Sequence, residues 1–261
     1  MGAAQARRLD PARRAFYGAL VAEVITALVT GSTRGIGAAI AGALQACGCR
    51  IVRHGSLPFE DALVADLAQP GAPDRLWHEA LVRAEGRIDI LVNNAGVYAA
   101  NPLDASDFAW LDGWDETLRI NLTAAAQLSR FAVRHWLERG EGGREGRLVN
   151  IASRAAHRGD SPDHWHYAAA KAGMVAMTKT IARAYAARGV LAFAVCPGFT
   201  DTAIGDDYLA SRGGADLLGQ IPLGRVASPD EIATIAAFCA VYAPPSMTGA
   251  VLDANGASHV R

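Results

Sequence analysis

Ile25-Thr-Ala-Leu-Val-Thr30 followed by Gly31-Ser-Thr-Arg-Gly-Ile-Gly37 and then by Ala38 to Ala46 reads as strand, glycine turn and helix. The first run is short, apolar and β-rich, which predicts a buried strand. A glycine turn between a first strand and a first helix leaves helix-terminal N–H groups and the positive end of the helix dipole free for a pyrophosphate. In this reading Gly31 permits the tight turn, Gly35 a close backbone approach and Gly37 close packing of helix on strand. The spacing is G-x-x-x-G-x-G rather than the general G-x-G-x-x-G, so taken alone the stretch is equally compatible with a plain turn.

Outward from this unit the alternation repeats. Strands are expected at Arg50 to His54, Leu63 to Asp66, Ile88 to Asn93, Leu148 to Ala152, Leu191 to Cys196 and Ala250 to Asp253. Helices are expected at Pro73 to Glu85, Asp115 to Leu137, His166 to Ala187 and Pro229 to Tyr242. Strands separated by helical stretches imply right-handed crossovers and an α/β fold: a single doubly wound Rossmann-type domain, its mostly parallel sheet of about seven strands covered by helices on both faces. Residues 1–20 read as an N-terminal extension with Arg7, Arg8, Arg13 and Arg14 among alanines, either a surface tail or a docking arm, and residues 21–261 as the domain itself. The Glu141 to Gly146 cluster reads as a surface turn. Residues 203–225, rich in glycine and aspartate, read as a mobile substrate lid.

The chain has 261 residues, 51% of them hydrophobic, enough for a sizeable core. A formal net charge of −1 offers no basic field for nucleic acid or an anionic membrane, so neither is expected as a partner. Cys47, Cys49, Cys196 and Cys239 show no C-x-x-C pair. His157, His164 and His166 match no ordinary metal spacing and read as loop or substrate contacts, so no metal is expected. With no secretory signal or long uncharged apolar run, the reading is a soluble cytoplasmic protein.

Tyr167-Ala-Ala-Ala-Lys171 falls within a predicted helix, so the two polar side chains project from one face, one turn apart. A free tyrosine has a pKa of about 10, and an adjacent cation favours the phenolate, which makes the pair a proton donor for a carbonyl oxygen. Tyr and Lys at this spacing also occur by chance on many helices, so the pair gains weight only from its surroundings.

Those surroundings resemble the short-chain dehydrogenases/reductases. Thr30 to Gly37 is similar to that family's T-G-x-x-x-G-x-G turn, Asn93-Asn-Ala-Gly96 to its N-N-A-G element and Tyr167 to Lys171 to its Y-x-x-x-K, with Asn121, Ser153 and Pro197-Gly198 in the same order. The resemblance runs from about Ala27 to Gly256, and its nearest look is to 3-oxoacyl-[acyl-carrier-protein] reductases. It implies that Tyr167 is the general acid in reduction and the base in oxidation, and that Lys171 lowers its pKa and holds the nicotinamide ribose. Ser153 would hydrogen-bond the substrate oxygen, and Asn121 would hold a water linking Lys171 to solvent. On the cofactor side it implies Gly31, Ser32, Thr33, Arg34, Gly35, Ile36 and Gly37 around the pyrophosphate, with Asp66 and Leu67 at the adenine. Asn94, Ala95 and Gly96 would line the adenine ribose, and Pro197, Gly198, Thr200 and Thr202 would bracket the carboxamide. Ser153 and Tyr167 stand 14 apart, one more than is common in the family, which the Arg154 to His166 loop can absorb.

Folds that prefer NAD usually place an acid at the end of the second strand to hold the ribose 2′-hydroxyl. Here that strand ends in Gly55 and Ser56, Arg34 adds a cation in the turn, and Arg53 or His54 could add another, so NADP(H) is expected in preference to NAD(H). The expected activity is interconversion of a carbonyl and a secondary alcohol, the substrate a small molecule that could be bound to a carrier protein, with Arg144 and Arg188 as a basic patch for the carrier. The alternatives are NAD-dependent oxidation of a sugar, polyol or small cyclic alcohol, and a nucleotide-binding regulator without turnover. The family resemblance also implies a homotetramer paired through the Asp115 to Leu137 and His166 to Ala187 helices.

Overall fold

The structure is a computed structural model that describes residues 24–140, 145–202 and 218–261. The N-terminal extension 1–20, Arg144 with most of the turn around it, and residues 203–217 of the expected lid lie outside the described residues. The seven strands are β1 (Thr26–Val29), β2 (Arg50–Gly55), β3 (Leu63–Val64), β4 (Ile90–Asn93), β5 (Gly146–Ile151), β6 (Val190–Pro197) and β7 (Val251–Ala254). They form one sheet in the order β3-β2-β1-β4-β5-β6-β7, every neighbouring pair parallel. The doubly wound fold expected from the alternation is therefore the one observed.

Helices α1 (Gly35–Ala46) and α7 (Pro229–Ala237) cover one face, with Ile40, Leu44, Ile232 and Ala236 packed on Val29, Val149, Phe193 and Val195. On the other face lie α2 (Ala72–Arg83), α4 (Ala124–Glu138) and α6 (Trp165–Tyr185), whose Leu76, Trp77, Leu128, Trp136 and Ala182 meet Leu28, Leu91, Leu148 and Ala192. Strand residues alternate between the two faces, which is why these buried strands read as continuous apolar runs.

Several boundaries differ from the sequence reading. β3 is two residues long rather than extending to Asp66, because Asp66 turns the chain: its carboxylate accepts from Ala68 N–H and Gln69 Nε2, both at 3.0 Å. The helix expected at Asp115 begins earlier, as α3 (Asp107–Leu118), whose N-cap Ser106 accepts from Ala109 N–H. It then passes through a π turn at Arg119–Thr123 before continuing as α4. Gly146 is not part of a surface turn but opens β5, buried against the Trp136 ring.

Strand order reverses at β1, which lies between β2 and β4. Connections leave the C-terminal ends of β1 and β4 toward opposite faces, and the crevice between them is where ligands bind in open α/β sheets. The glycine turn and Asn93–Gly96 sit at those two ends.

Candidate active site

The turn after β1 is held from three directions. Asn94 Nδ2 donates to the carbonyls of Thr30 and Gly31 at 3.0 and 3.1 Å, and Thr30 Oγ1 accepts from both Asn94 and Ala95 N–H at 3.0 Å. From β2, Ser32 N–H donates to the His54 carbonyl at 2.8 Å and His54 N–H to Ser32 Oγ at 3.0 Å. The His54 ring completes the set: Nδ1 accepts from Gly31 N–H at 3.1 Å, which leaves Nε2 as the donor to the Ala65 carbonyl at 2.9 Å. Burial pushes its pKa below the ordinary histidine value. His54 is thus a neutral brace under the turn and not the cation that the sequence reading allowed.

Glycine is required at specific points. A Cβ on Gly37 would lie 2.1 Å from the Gly31 carbonyl oxygen, and one on Gly31, whose φ is +62°, 2.9 Å from Ala95 Cα. One on Gly35 would come within 3.2 Å of Thr202 Cγ2, so the turn and the segment after β6 meet. The α1 N-terminus has no side-chain cap and no acid in its first turn. Its open N–H groups, together with exposed Arg34 and half-buried Ile36, fit a diphosphate. Thr33 is packed against Gly55. Arg53 reaches the Ser32 carbonyl at 3.4 Å, so it and Arg34 flank the turn beside exposed Ser56. Leu67 is buried while Asp66 is exposed and committed to its own turn. A dinucleotide therefore fits the residues present.

The reactive groups gather at the ends of β4, β5 and β6. Lys171, one turn after Tyr167 on α6, is buried, and its Nζ donates to the Ile151 carbonyl at 2.9 Å and lies 5.7 Å from the Tyr167 ring centroid. Burial lowers its pKa from 10.5 to about 8. Gly96 fills the gap beside it: a Cβ there would be 3.0 Å from Asn121 Oδ1 and 3.5 Å from Lys171 Nζ. Asn121 sits in the π turn and grips one peptide, Oδ1 accepting from Val97 N–H at 2.7 Å and Nδ2 donating to the Val97 carbonyl at 2.8 Å. Its side-chain amide is committed to that grip. Ser153 Oγ, past the end of β5, accepts from Ala155 N–H at 3.1 Å and keeps its own proton to donate. Pro197 ends β6, Gly198 N–H donates to the Ala254 carbonyl at 2.9 Å, and Thr200 Oγ1 donates back to the Gly198 carbonyl at 3.3 Å. Thr202 stands by Gly35; Thr200 is engaged in its own loop.

Between Ser153 and Tyr167 the chain forms α5 (Ala155–Arg158) and the loop after it. That loop packs on a residue after β4 that the sequence did not single out. Tyr98 stacks on His164, centroids 3.9 Å apart at 11°, and its hydroxyl donates to Asp160 Oδ1 at 2.9 Å. The Tyr98 ring also stands edge-on to Tyr167, 4.7 Å away at 85°. An aromatic two places beyond the N-N-A-G element was the available signal, but only the folded loop shows what it touches. His164 bonds Ser161 Oγ at 2.7 Å, a contact within the loop, whereas His166 lies in the first turn of α6, buried near Trp114.

A family model described as enoyl-(acyl carrier protein) reductase matches residues 31–259. The chain is 33% identical over 251 residues to the 3-oxoacyl-[acyl-carrier-protein] reductase FabG of Escherichia coli, covering 90% of this chain and 97% of that protein. It is 36% identical over 247 residues to the acetoacetyl-CoA reductase of Shinella zoogloeoides, covering 88% and 96%. Among solved structures, an NADP-bound protein from Beutenbergia cavernae, provisionally described as an NAD(P)-dependent gluconate 5-dehydrogenase, superposes with a TM-score of 0.78 at 33% identity, over 89% of this chain and 95% of that one.

Proposed function

The chain belongs to the short-chain dehydrogenases/reductases and is an oxidoreductase of that family, and from this premise we propose that it reduces the ketone of a 3-oxoacyl thioester to a secondary alcohol with NADPH. The observation that carries the proposal is the convergence of buried Lys171, Tyr167 and the Ser153 hydroxyl at the sheet end faced by the glycine turn. When bound, the dihydronicotinamide supplies the hydride. Charge building on the carbonyl oxygen calls for O–H donors, and Ser153 and Tyr167 fill that need, Tyr167 passing its proton to the oxygen. Lys171, fixed by the Ile151 carbonyl, holds the ribose and keeps positive charge beside the phenol. Gly96 and Asn121 keep that ammonium's surroundings open and rigid.

The preference for NADP(H) over NAD(H) is supported by Arg34 and Arg53 flanking the turn and by β2 ending in Gly55 and Ser56 without an acid. The thioester class is supported by the names of the two reductases above. A second substrate class, a sugar acid or polyol, is favoured by the polar rim of Asp160, Ser161 and His164 around Tyr98 and by the provisional description of the Beutenbergia protein. Titration with NADPH against NADH, then a panel of 3-oxoacyl thioesters and sugar acids, separates them. Tyr167→Phe should abolish turnover on every substrate while cofactor binding persists; an active Tyr167→Phe enzyme would overturn the reading.

Assembly as a homotetramer through α3 to α4 and α6 is part of the same proposal. Phe108 and Leu111 on α3 and Trp165 on α6 are exposed, an apolar face suited to a second copy. Gel filtration checks it. Among the described residues no helix is long and apolar enough to cross a membrane.

A further inference from the structure

Behind Ser153, away from the glycine turn, three side chains from three elements converge. His157 on α5, Cys196 near the end of β6 and Asp253 on β7 present Nε2, Sγ and a carboxylate oxygen that all lie within 4.8 Å of one another. His157 Nε2 is 3.5 Å from Cys196 Sγ and 3.8 Å from Asp253 Oδ1. Two readings of a Cys-His-Asp set are distinguishable by geometry. A nucleophilic relay needs the thiol on one ring nitrogen and the carboxylate on the other. Here both approach the same nitrogen, so the three donor atoms surround one point.

We propose that His157, Cys196 and Asp253 form a binding site for a borderline-soft divalent cation, with Zn²⁺ as the fitting ion and a fourth position left for water. Tetrahedral Zn²⁺ with the usual bond lengths places sulfur and nitrogen ligands about 3.6 Å apart and nitrogen and oxygen ligands about 3.4 Å apart. The first spacing is already present, the second needs a shift of a few tenths of an ångström, and the sulfur and carboxylate oxygen, within 4.8 Å of each other, draw in to about 3.6 Å when the ion binds. One thiolate and one carboxylate neutralise the ion, and a mixed sulfur, nitrogen and oxygen set excludes Mg²⁺ and Ca²⁺, which take oxygen alone. Arg261 Nε donates to Asp253 Oδ2 at 2.8 Å, which turns Oδ1 toward His157, as an outer-shell partner does. The His157 and Asp253 side chains keep partial exposure, 13% and 24%, so the ion has a way in, while Cys196 is fully buried. The sequence spacing of His157, His164 and His166 gave no metal pattern; folding groups His157 with residues some 40 and 100 positions away instead. A bound ion ties α5, which begins two residues after Ser153, to β6 and β7.

The test uses the full chain and Co²⁺ as a coloured substitute for Zn²⁺. The expected result is a thiolate-to-cobalt charge-transfer absorption that saturates at one equivalent, is bleached by Zn²⁺, and persists in Cys47→Ser, whose thiol is the partly exposed one among the four. Cys196→Ser should abolish it. His157→Ala and Asp253→Asn should each weaken Co²⁺ affinity at least tenfold, and Zn²⁺ should raise the melting temperature of the wild type but not of His157→Ala. No absorption in the wild type, loss of it in Cys47→Ser, or undiminished affinity in His157→Ala would overturn the proposal.

Discussion

Tyr98 stands edge-on to Tyr167 with ring centroids 4.7 Å apart and is itself pinned, by stacking on His164 and by a hydrogen bond to Asp160. Tyr167 lies on a helix that could hold its Cα but not the swing of its phenol; the Tyr98 ring limits that swing. Tyr98→Phe, which keeps the ring and loses only the Asp160 bond, is expected to retain most activity. Tyr98→Ala is expected to lower kcat by up to about tenfold, the worth of one aromatic pair. Steady-state kinetics at saturating cofactor checks both.

In the proposed reading Arg34 and Arg53 bear on cofactor choice and not on chemistry. Arg34→Glu and Arg53→Glu should each weaken NADPH binding roughly tenfold to a hundredfold, the range for a lost hydrogen bond to a charged group, and leave NADH binding little changed. Fluorescence titration with the two reduced cofactors reads the difference. Equal losses for both would place the two arginines outside the 2′-phosphate site.

Burial lowers the Lys171 pKa to about 8 from 10.5. Between those values the unfolded chain holds a proton that the folded chain has released, so this group makes stability rise with pH across that window and contributes no slope below it. Without cofactor, the wild type should gain on Lys171→Met by roughly 3 kcal/mol in total from pH 8 to 10.5. Urea unfolding at several pH values checks it; parallel curves for the two proteins would contradict it. In the same range carbonyl reduction should decline as the ammonium is lost.

A Cβ on Gly146 would sit 2.0 Å from the Trp136 ring, and that ring is fixed by its own Nε1–H donating to the Ile88 carbonyl at 2.8 Å. Gly146→Ala should therefore cost about 1–3 kcal/mol, the usual range for overpacking. Thermal melts of the two proteins measure it, and cofactor affinity should stay unchanged because β5 begins at the far end of the sheet from the site.

The alternation of short β-rich runs with longer helical ones was enough to read the sheet and its crossovers, because the central strands β1, β4, β5 and β6 are buried almost throughout and carry a strong apolar signature. Local competition was not legible. Asp66 shortens β3 by accepting from Ala68 N–H two residues on, and nothing in Leu63 to Asp66 distinguishes a strand end from a turn. The π turn at Arg119–Thr123 gives no periodic signal, since its residues remain helical in character. In the site, Tyr167, Lys171 and the glycines could be picked out because several motifs fall together in one order along the chain, although each spacing alone is compatible with chance. His54 could not be assigned correctly: a histidine beside arginines suggests a cation until its ring is seen accepting from Gly31. Tyr98 and the His157, Cys196 and Asp253 group depend on contacts between distant segments, which no local pattern encodes.

The π turn has one more implication. A π turn is a helix with a single residue too many, and the surplus rotates everything after it by about 100° relative to an uninterrupted α-helix. Excising one residue from Arg119 to Thr123 would heal the helix and so could strengthen it in isolation, yet Asn121 would then face away from Val97 and α4 would offer its polar side to the sheet. What looks like a defect in the longest helical run is thus the phase adjustment that lets one rod serve two masters, a catalytic corner at its middle and an oily wall along its end.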